Sequence, residues 1–463
     1  MRRASARDRA VATRRRAGAE RSRVLARPAV VSRRPLRLSA LAAALRDSAS
    51  VVARVAAGAS LAAEFERFGD EGAPTPRAVL IDLTHGTLRR YGRVQAIVRE
   101  LSHRGRGDAT VEALLWCSLY ALESGRYTDY TVVDQAVRAC SALERWSAKG
   151  YVNALLRSYL RQRASLEARI QADPEARYQH PRWWIELVRR AYPAQWGAVL
   201  ASGNGHPPMS LRVNRRRCTV EEYERKLEAE GMASHRIGDP GLRLERPVPV
   251  ERLPGFADGE VSVQDAGAQR AARCLELASG QRVLDACAAP GGKAGHILET
   301  AQVELTALEA DAGRCTRLEH NLARLGLAAR LISADCTQPR EWWDGVPFDR
   351  ILADVPCTGS GVARRYPDIK WLRRSADVAA YAARQASILD TLWQVLRPDG
   401  KLLYATCSVF PQENDAVIEA FVARQRAAGA RAVRVPLPDG GAPQGLPDAE
   451  RDGFFYALIH KQA

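Results

Sequence analysis

The sequence predicts an α/β protein built in three parts: an all-helical bundle, a small α+β connector and a doubly wound α/β domain. Three observations predict it. Apolar residues recur at helical spacing through residues 38–172. A proline-bearing linker and a short strand–helix stretch follow, over 173–260. From about Val261 to residue 463, apolar strand runs alternate with amphipathic helices, the pattern of a mostly parallel sheet whose ligands bind beyond the strand carboxyl ends.

Ahead of these parts, residues 1–37 hold 13 Arg against two acids, Asp8 and Glu20, so this segment carries +11 of the total +16 and the rest only +5. It lacks the apolar core of a secretory signal. A mitochondrial transit peptide shares its composition, but a disordered basic arm is the reading its charge favours. The balance points to nucleic acid, since every neutralised phosphate releases a counterion, although a coding bias toward Arg gives the same charge. No uninterrupted apolar run reaches the roughly 18–20 residues of a membrane span, so a soluble protein with no membrane partner is expected. The nine cysteines are odd in number and none has Cys-x-x-Cys spacing. That argues against a disulfide framework or zinc ribbon, for a reducing compartment, and for no bound metal.

In the bundle, Leu38, Leu41, Leu45, Val52 and Val55 lie at helical spacing, as do Val111, Leu114, Leu115, Leu119 and Leu122, and a third helix runs through Tyr151–Leu160. Pro174 and Pro181 make a continuous helix across the linker unfavourable. The connector opens with a short helix holding Trp183, Trp184 and Leu187. It continues with a strand at Ser210–Asn214 and a helix over Thr219–Glu230, whose Thr219 and Glu222 are spaced as a capping box. Strands of the last part are expected at Arg282–Ala286, Val303–Glu309, Ala329–Ala334, Asp349–Asp354 and Lys401–Thr406.

The first of these strands runs into Asp285-Ala286-Cys287-Ala288-Ala289-Pro290-Gly291-Gly292-Lys293. Apolar strand, glycine turn and helix make a cofactor loop, where a ligand approaches the backbone closely at a helix amino end. It is neither the dinucleotide pattern nor a P-loop, because Cys287 stands at the first P-loop glycine and Ala294 where Ser or Thr should follow. Later strands end at or just before Glu309, Asp335 and Asp354. Carboxylates crowded in one crevice need donors or positive charge. S-adenosylmethionine brings ribose hydroxyls and an adenine amino group, a sulfonium and an ammonium. Glu309 suits the ribose and Asp335 the adenine, while each taken singly is also a plain turn or cap residue. Cys357 and Cys407 lie just past two strand tips, in Asp354-Val355-Pro356-Cys357 and Thr406-Cys407-Ser408. A thiol is intrinsically very nucleophilic and suits attack on an electron-poor ring carbon; either one alone is as well read as a packing residue.

Taken together, Asp354-Val355-Pro356-Cys357, Thr406-Cys407-Ser408 and Ala288-Ala289-Pro290-Gly291-Gly292-Lys293 resemble the Sun/NOL/RsmB family of RNA cytosine-C5 methyltransferases. The run Arg364-Arg365-Tyr366-Pro367-Asp368-Ile369-Lys370-Trp371 and the later Asp452-Gly453-Phe454-Phe455-Tyr456 resemble its bacterial RsmB branch, and the helical part resembles a NusB-like RNA-binding domain. Only residues 1–37 fall outside the resemblance. Val355 stands where the family has Ala, and Glu309 where Asp is common. The resemblance implies a Rossmann-like fold and S-adenosylmethionine as cofactor, held by Ala286, Cys287, Ala288, Ala289, Pro290, Gly291, Gly292, Lys293, Glu309, Asp335 and Asp354. It implies Cys407 as the nucleophile that adds to cytosine C6, Cys357 in product release and Asp354 against the base edge; Lys293 faces either cofactor or base. It further implies methylation of small-subunit (16S) ribosomal RNA by a cytoplasmic monomer. The alternatives are the same chemistry on transfer RNA or another RNA, and a non-catalytic RNA-binding assembly factor.

Overall fold

The computed structural model describes residues 39–68, 75–102 and 107–463; the basic segment 1–37 and Leu38 lie outside them. The helical part contains helices Ala40–Ala56, Leu61–Phe68, Arg77–Arg89, Tyr91–Leu101, Ala109–Ser124, Asp129–Ala142 and Lys149–Ala172. Ala109–Ser124 is its centre. Val111 and every residue from Ala113 to Leu122 are buried, because the helix is apolar nearly all round and is wrapped by its neighbours. The Asp108 carboxylate accepts from the Thr110 and Val111 amides at its start, and Gly125, at φ 67°, ends it. Helix Arg77–Arg89 approaches so closely that a Cβ on Gly86 would sit 2.0 Å from the Tyr120 ring.

Helix Lys149–Ala172 stops at Asp173, as the linker prolines require. The linker nonetheless carries a turn of helix, Pro174–Tyr178, with Pro174 at its first position, where a missing N–H costs nothing. After helices Arg182–Ala191 and Trp196–Ser202 comes a small antiparallel sheet of β1 (Met209–Val213), β2 (Ser234–Arg236), β3 (Gly241–Leu244) and β4 (Val261–Val263), ordered β2-β3-β1-β4. The capping box of helix Val220–Ala229 forms as expected. Val261–Val263, expected to open the α/β region, instead pairs with β1 and completes the connector sheet.

The large sheet contains β5 (Arg282–Asp285), β6 (Glu304–Glu309), β7 (Arg330–Ser333), β8 (Phe348–Asp354), β9 (Leu396–Thr406), β10 (Arg431–Val435), β11 (Gln444–Gly445) and β12 (Phe454–Gln462). Its order is β10-β12-β9-β8-β5-β6-β7, with β11 beside β12. Strands β5 to β9 are parallel, while β12 enters antiparallel between β9 and β10. Five expected strands thus appear at their places. The C-terminal strands β10, β11 and β12 carried no expectation. The chain leaves β5 in one direction for β6 and β7 and in the other for β8 and β9, so the crevice at the switch point opens beyond Asp285 and Asp354. Among the described residues, no helix is long and apolar enough to cross a membrane.

The Arg364–Trp371 run joins the helical part to the sheet part, which form one body. Arg89 donates to the Arg364 carbonyl (2.9 Å), the Trp371 indole to the Leu88 carbonyl (2.9 Å), and the Leu61 amide to Asp368 (2.9 Å). Fully buried Lys370 donates to the Arg89 carbonyl (3.1 Å) and to Asn204 (2.9 Å). Trp371 meets Tyr91 edge-on at 5.1 Å. Trp371→Ala removes the ring contact and leaves a carbonyl unpaired; a loss of about 3 kcal/mol is expected on chemical denaturation, with Trp371→Phe intermediate. A Trp371→Ala protein as stable as the parent would mean that this joint carries no load.

Candidate active site

Strand β5 ends in a loop that turns sharply at Gly291 before helix Gly292–Thr300. Gly291 sits at φ 98°, and a Cβ there would lie 2.7 Å from Leu318, so the turn needs glycine. The loop is braced from all sides. The Ala288 amide donates to the Leu308 carbonyl (2.8 Å), the Ala289 amide to Glu309 (3.3 Å), and Arg314 to the Ala289 carbonyl (2.8 Å). Arg212 reaches across from β1. It donates to the Gly292 carbonyl (2.6 Å) and pairs through two nitrogens with Glu299 (2.7 and 2.8 Å), both side chains being buried.

Beyond the strand tips lies a cleft of about 390 Å³, lined by Ala286, Cys287, Glu309, Asp335, Cys336 and Pro356 among others. Ala288 and Ala289 are buried, and Gly291 and Gly292 form the turn and start the helix. Glu309 already accepts from the Ala289 and Asp311 amides and from Arg314. Asp335 uses one oxygen to close a turn on Thr337 (2.9 Å to the amide, 2.8 Å to the hydroxyl), and this amide bond holds its carboxyl below the usual range. The turn role and the position at the cleft therefore coexist in Asp335. Cys336 hydrogen-bonds through its thiol with Cys287.

At the end of β5 Asp285 is fully buried, and neither of its oxygens has a hydrogen-bond partner of good geometry. Burial first, and then the nearby Asp354 charge, push its carboxyl from 3.8 up to about 7. The unfolded chain loses this proton near pH 4 and the folded chain only near 7. The group's contribution to stability is therefore complete at low pH and is lost as pH rises through 7. Asp285→Asn is expected to stabilise the ligand-free protein at pH 8, on the order of 3 kcal/mol. The gain should shrink toward zero near pH 4, and an equal gain at both pH values in thermal melts would refute the assignment.

Strands β8 and β9 deliver the two thiols. The Cys357 and Cys407 sulfurs are 3.4 Å apart; Cys357 is buried and Cys407 part-exposed. Glu413 holds their loops in place. Fully buried, it accepts from the Thr358 amide (2.8 Å) and hydroxyl (2.5 Å) and from the Ser408 hydroxyl (2.6 Å), the residues following each cysteine. The Gly361 amide adds a bond to the Cys407 carbonyl (2.8 Å). Lys293 pairs with Asp354 at 2.5 Å and lies over the Phe454 ring at 5.3 Å. Burial pulls its ammonium pKa down, but Asp354 and the nearby Cys407 outweigh that and set it above the ordinary value. The Cys407 hydrogen bond, then burial, raise the Cys357 thiol, which rests protonated.

The structure thus brings Cys357, Cys407, Asp354 and Lys293 together at the switch point and sets Ala286, Cys287, Glu309 and Asp335 around the adjoining cleft. Three contributors carried no expected role. Asp285 was signalled only by a carboxylate ending an apolar strand, Glu413 by the Pro411–Asn414 run after the thiol, and Phe454 by nothing local. The residues fit S-adenosylmethionine. An unpartnered buried carboxylate, with Asp354, Glu309 and Asp335 nearby, favours a ligand bearing positive charge and hydroxyl and amino donors, and the glycine turn leaves room for it. Among the described residues, no group of three or more His, Cys, Asp or Glu is arranged to hold a metal.

A switch-point cleft over a parallel sheet with one antiparallel strand, β12, inserted near its edge is the architecture of a Rossmann-like methyltransferase. PH0851, a solved structure, superposes with a TM-score of 0.75 at 24% identity over 92% of this chain and all of its own. A methyltransferase homolog protein from Pyrococcus horikoshii gives a TM-score of 0.54 at 26% identity, over 62% of this chain and 97% of its own. Family models match in order: NusB family over 39–161, the RsmF/B-like ferredoxin-like domain over 180–251, and 16S rRNA methyltransferase RsmB/F over 272–460. Ribosomal RNA small subunit methyltransferase B of Pseudomonas syringae pv. tomato is 43% identical over 84% of this chain and 90% of its own length. The Vibrio cholerae protein of that name is 42% identical over the same shares. The chain belongs to the RsmB/F family of 16S rRNA methyltransferases, with a NusB-type helical region.

Proposed function

We propose that this chain methylates C5 of a cytosine in small-subunit (16S) ribosomal RNA, through a covalent bond between Cys407 and cytosine C6. The observation that carries the proposal is the pair of thiols 3.4 Å apart beside the Lys293–Asp354 pair. The names of its relatives support the RNA target. S-adenosylmethionine, when bound, supplies an electrophilic methyl group; Ala286 to Gly292, Glu309 and Asp335 would hold it, with Asp354 and Lys293 at its border with the base.

Cytosine C5 is a poor nucleophile until the ring is broken out of aromaticity. Cys407 loses its proton to solvent as its sulfur bonds to C6. C5 is then enamine-like and takes the methyl group. Asp354 faces the N4 amino edge and steadies the charge that builds there. Restoring the ring requires loss of the C5 proton and cleavage of the C6–S bond. Cys357 rests as a thiol within reach of the departing sulfur, so it can hand its proton to Cys407 and take the C5 proton in return. The base reaches this pocket only when unstacked. Nucleotide-resolution mapping of 5-methylcytosine in 16S rRNA, from cells with and without the gene, tests the proposal; an unchanged map would end it.

A further inference from the structure

Tyr366 lies one turn after Gly361, whose amide donates to the Cys407 carbonyl (2.8 Å), and its own amide donates to the Val362 carbonyl (3.3 Å), yet it has no part in the reaction just described. It is 54% exposed, and its phenol is within electrostatic reach of Cys407. Burial nevertheless raises its phenol pKa, with Arg365 acting against it. Its ring is open to a partner, while its backbone belongs to the segment bonded to Cys407.

Its backbone is pinned on both sides. Upstream, Arg364 pairs with fully buried Asp452 and donates to the Asp448 carbonyl (2.7 Å), while Arg365 pairs with Asp452 and Asp265 (2.8 Å to the latter). Downstream, the Tyr366 carbonyl accepts from the Ile369 amide (3.1 Å), and Asp368 is tied to the Leu61 amide. A large aromatic face held in place before any partner arrives binds with little loss of conformational freedom.

We propose that Tyr366 is a stacking platform for the nucleotide next to the target cytosine, so that the RNA substrate is a segment with two adjacent unstacked bases. The inference rests on the methyl-transfer reading above. A sulfur adds to C6 perpendicular to the ring, and a methyl group arrives at C5 from the face that the sulfur leaves open. Both faces of the target are therefore taken, and the neighbouring base is what an exposed aromatic ring on the segment bonded to Cys407 can hold. Stacking on an aromatic side chain is how proteins secure unpaired bases without reading their identity.

The test uses the full chain and a 16S rRNA fragment containing the mapped cytosine. Tyr366→Ala is expected to lower kcat/KM for RNA by roughly 10- to 100-fold, mainly through KM. Tyr366→Phe should stay within about twofold, and KM for S-adenosylmethionine, which also reports folding, should not move. An abasic site at the neighbour that Tyr366 contacts should bring the parent enzyme down to the Tyr366→Ala level and leave Tyr366→Ala unaffected. Parental RNA kinetics in Tyr366→Ala, a Tyr366→Phe protein as weak as Tyr366→Ala, or abasic effects that simply add to the substitution would each overturn the platform. A parent enzyme that methylates no cytosine would instead defeat the underlying reading.

Discussion

Cys407→Ala is expected to abolish methyl transfer to RNA, a loss on the order of 10⁴-fold or more, while S-adenosylmethionine still binds. The size follows from chemistry: without a sulfur at C6, cytosine C5 has no enamine character. Cys357→Ala fails at a different point. The Cys407–C6 bond still forms, but no thiol 3.4 Å away remains to give the departing sulfur its proton and to collect the one on C5. A protein–RNA adduct should then accumulate and run as a retarded band on a denaturing gel. Adduct formation by Cys407→Ala instead would exchange the two roles. The absence of an adduct from both would remove the covalent route.

Arg212→Met is expected to cost about 3–5 kcal/mol on chemical denaturation. Arg212 is fully buried and serves as the paired partner of the Glu299 carboxylate, itself nearly without exposure. Removing the guanidinium strands a carboxylate in the interior, where its hydration cannot be replaced. The Gly292 carbonyl and Gln264 lose donors as well. Replacing the pair together, Arg212→Met with Glu299→Leu, should recover most of the loss, because no unpaired charge is left behind. A single variant within about 1 kcal/mol of the parent would show that water reaches Glu299. Since Arg212 braces the first turn of the cofactor-loop helix, both variants should bind S-adenosylmethionine more weakly than the parent.

Much of the reactive arrangement can be read without coordinates, for a physical reason. Strands β5 to β9 are short apolar runs bounded by turn residues, and such periodicity is a local property of the chain. Strand tips on one side of a parallel sheet share a crevice, so Asp354, Cys357 and Cys407 could be expected together once the strands were placed. The capping box at Thr219 and Glu222 is equally local.

What the sequence by itself determined, then, is the succession of helical, mixed and α/β parts, the glycine loop, and the strand tips that bear the thiols. Only tertiary structure decided which partners meet across long separations. Val261–Val263 joined the connector sheet because β1 presents an edge to it. Phe454–Gln462 became an antiparallel strand between β9 and β10 by pairing with both. Glu413 ties together the residues after both cysteines, Arg212 reaches a helix 80 positions away, and the Arg364–Trp371 run ties the thiol region to the helical part. None of these has a local signature, because an isolated buried charge is unfavourable anywhere in the chain. It becomes favourable only where folding brings its counterpart within hydrogen-bond distance and excludes water from both.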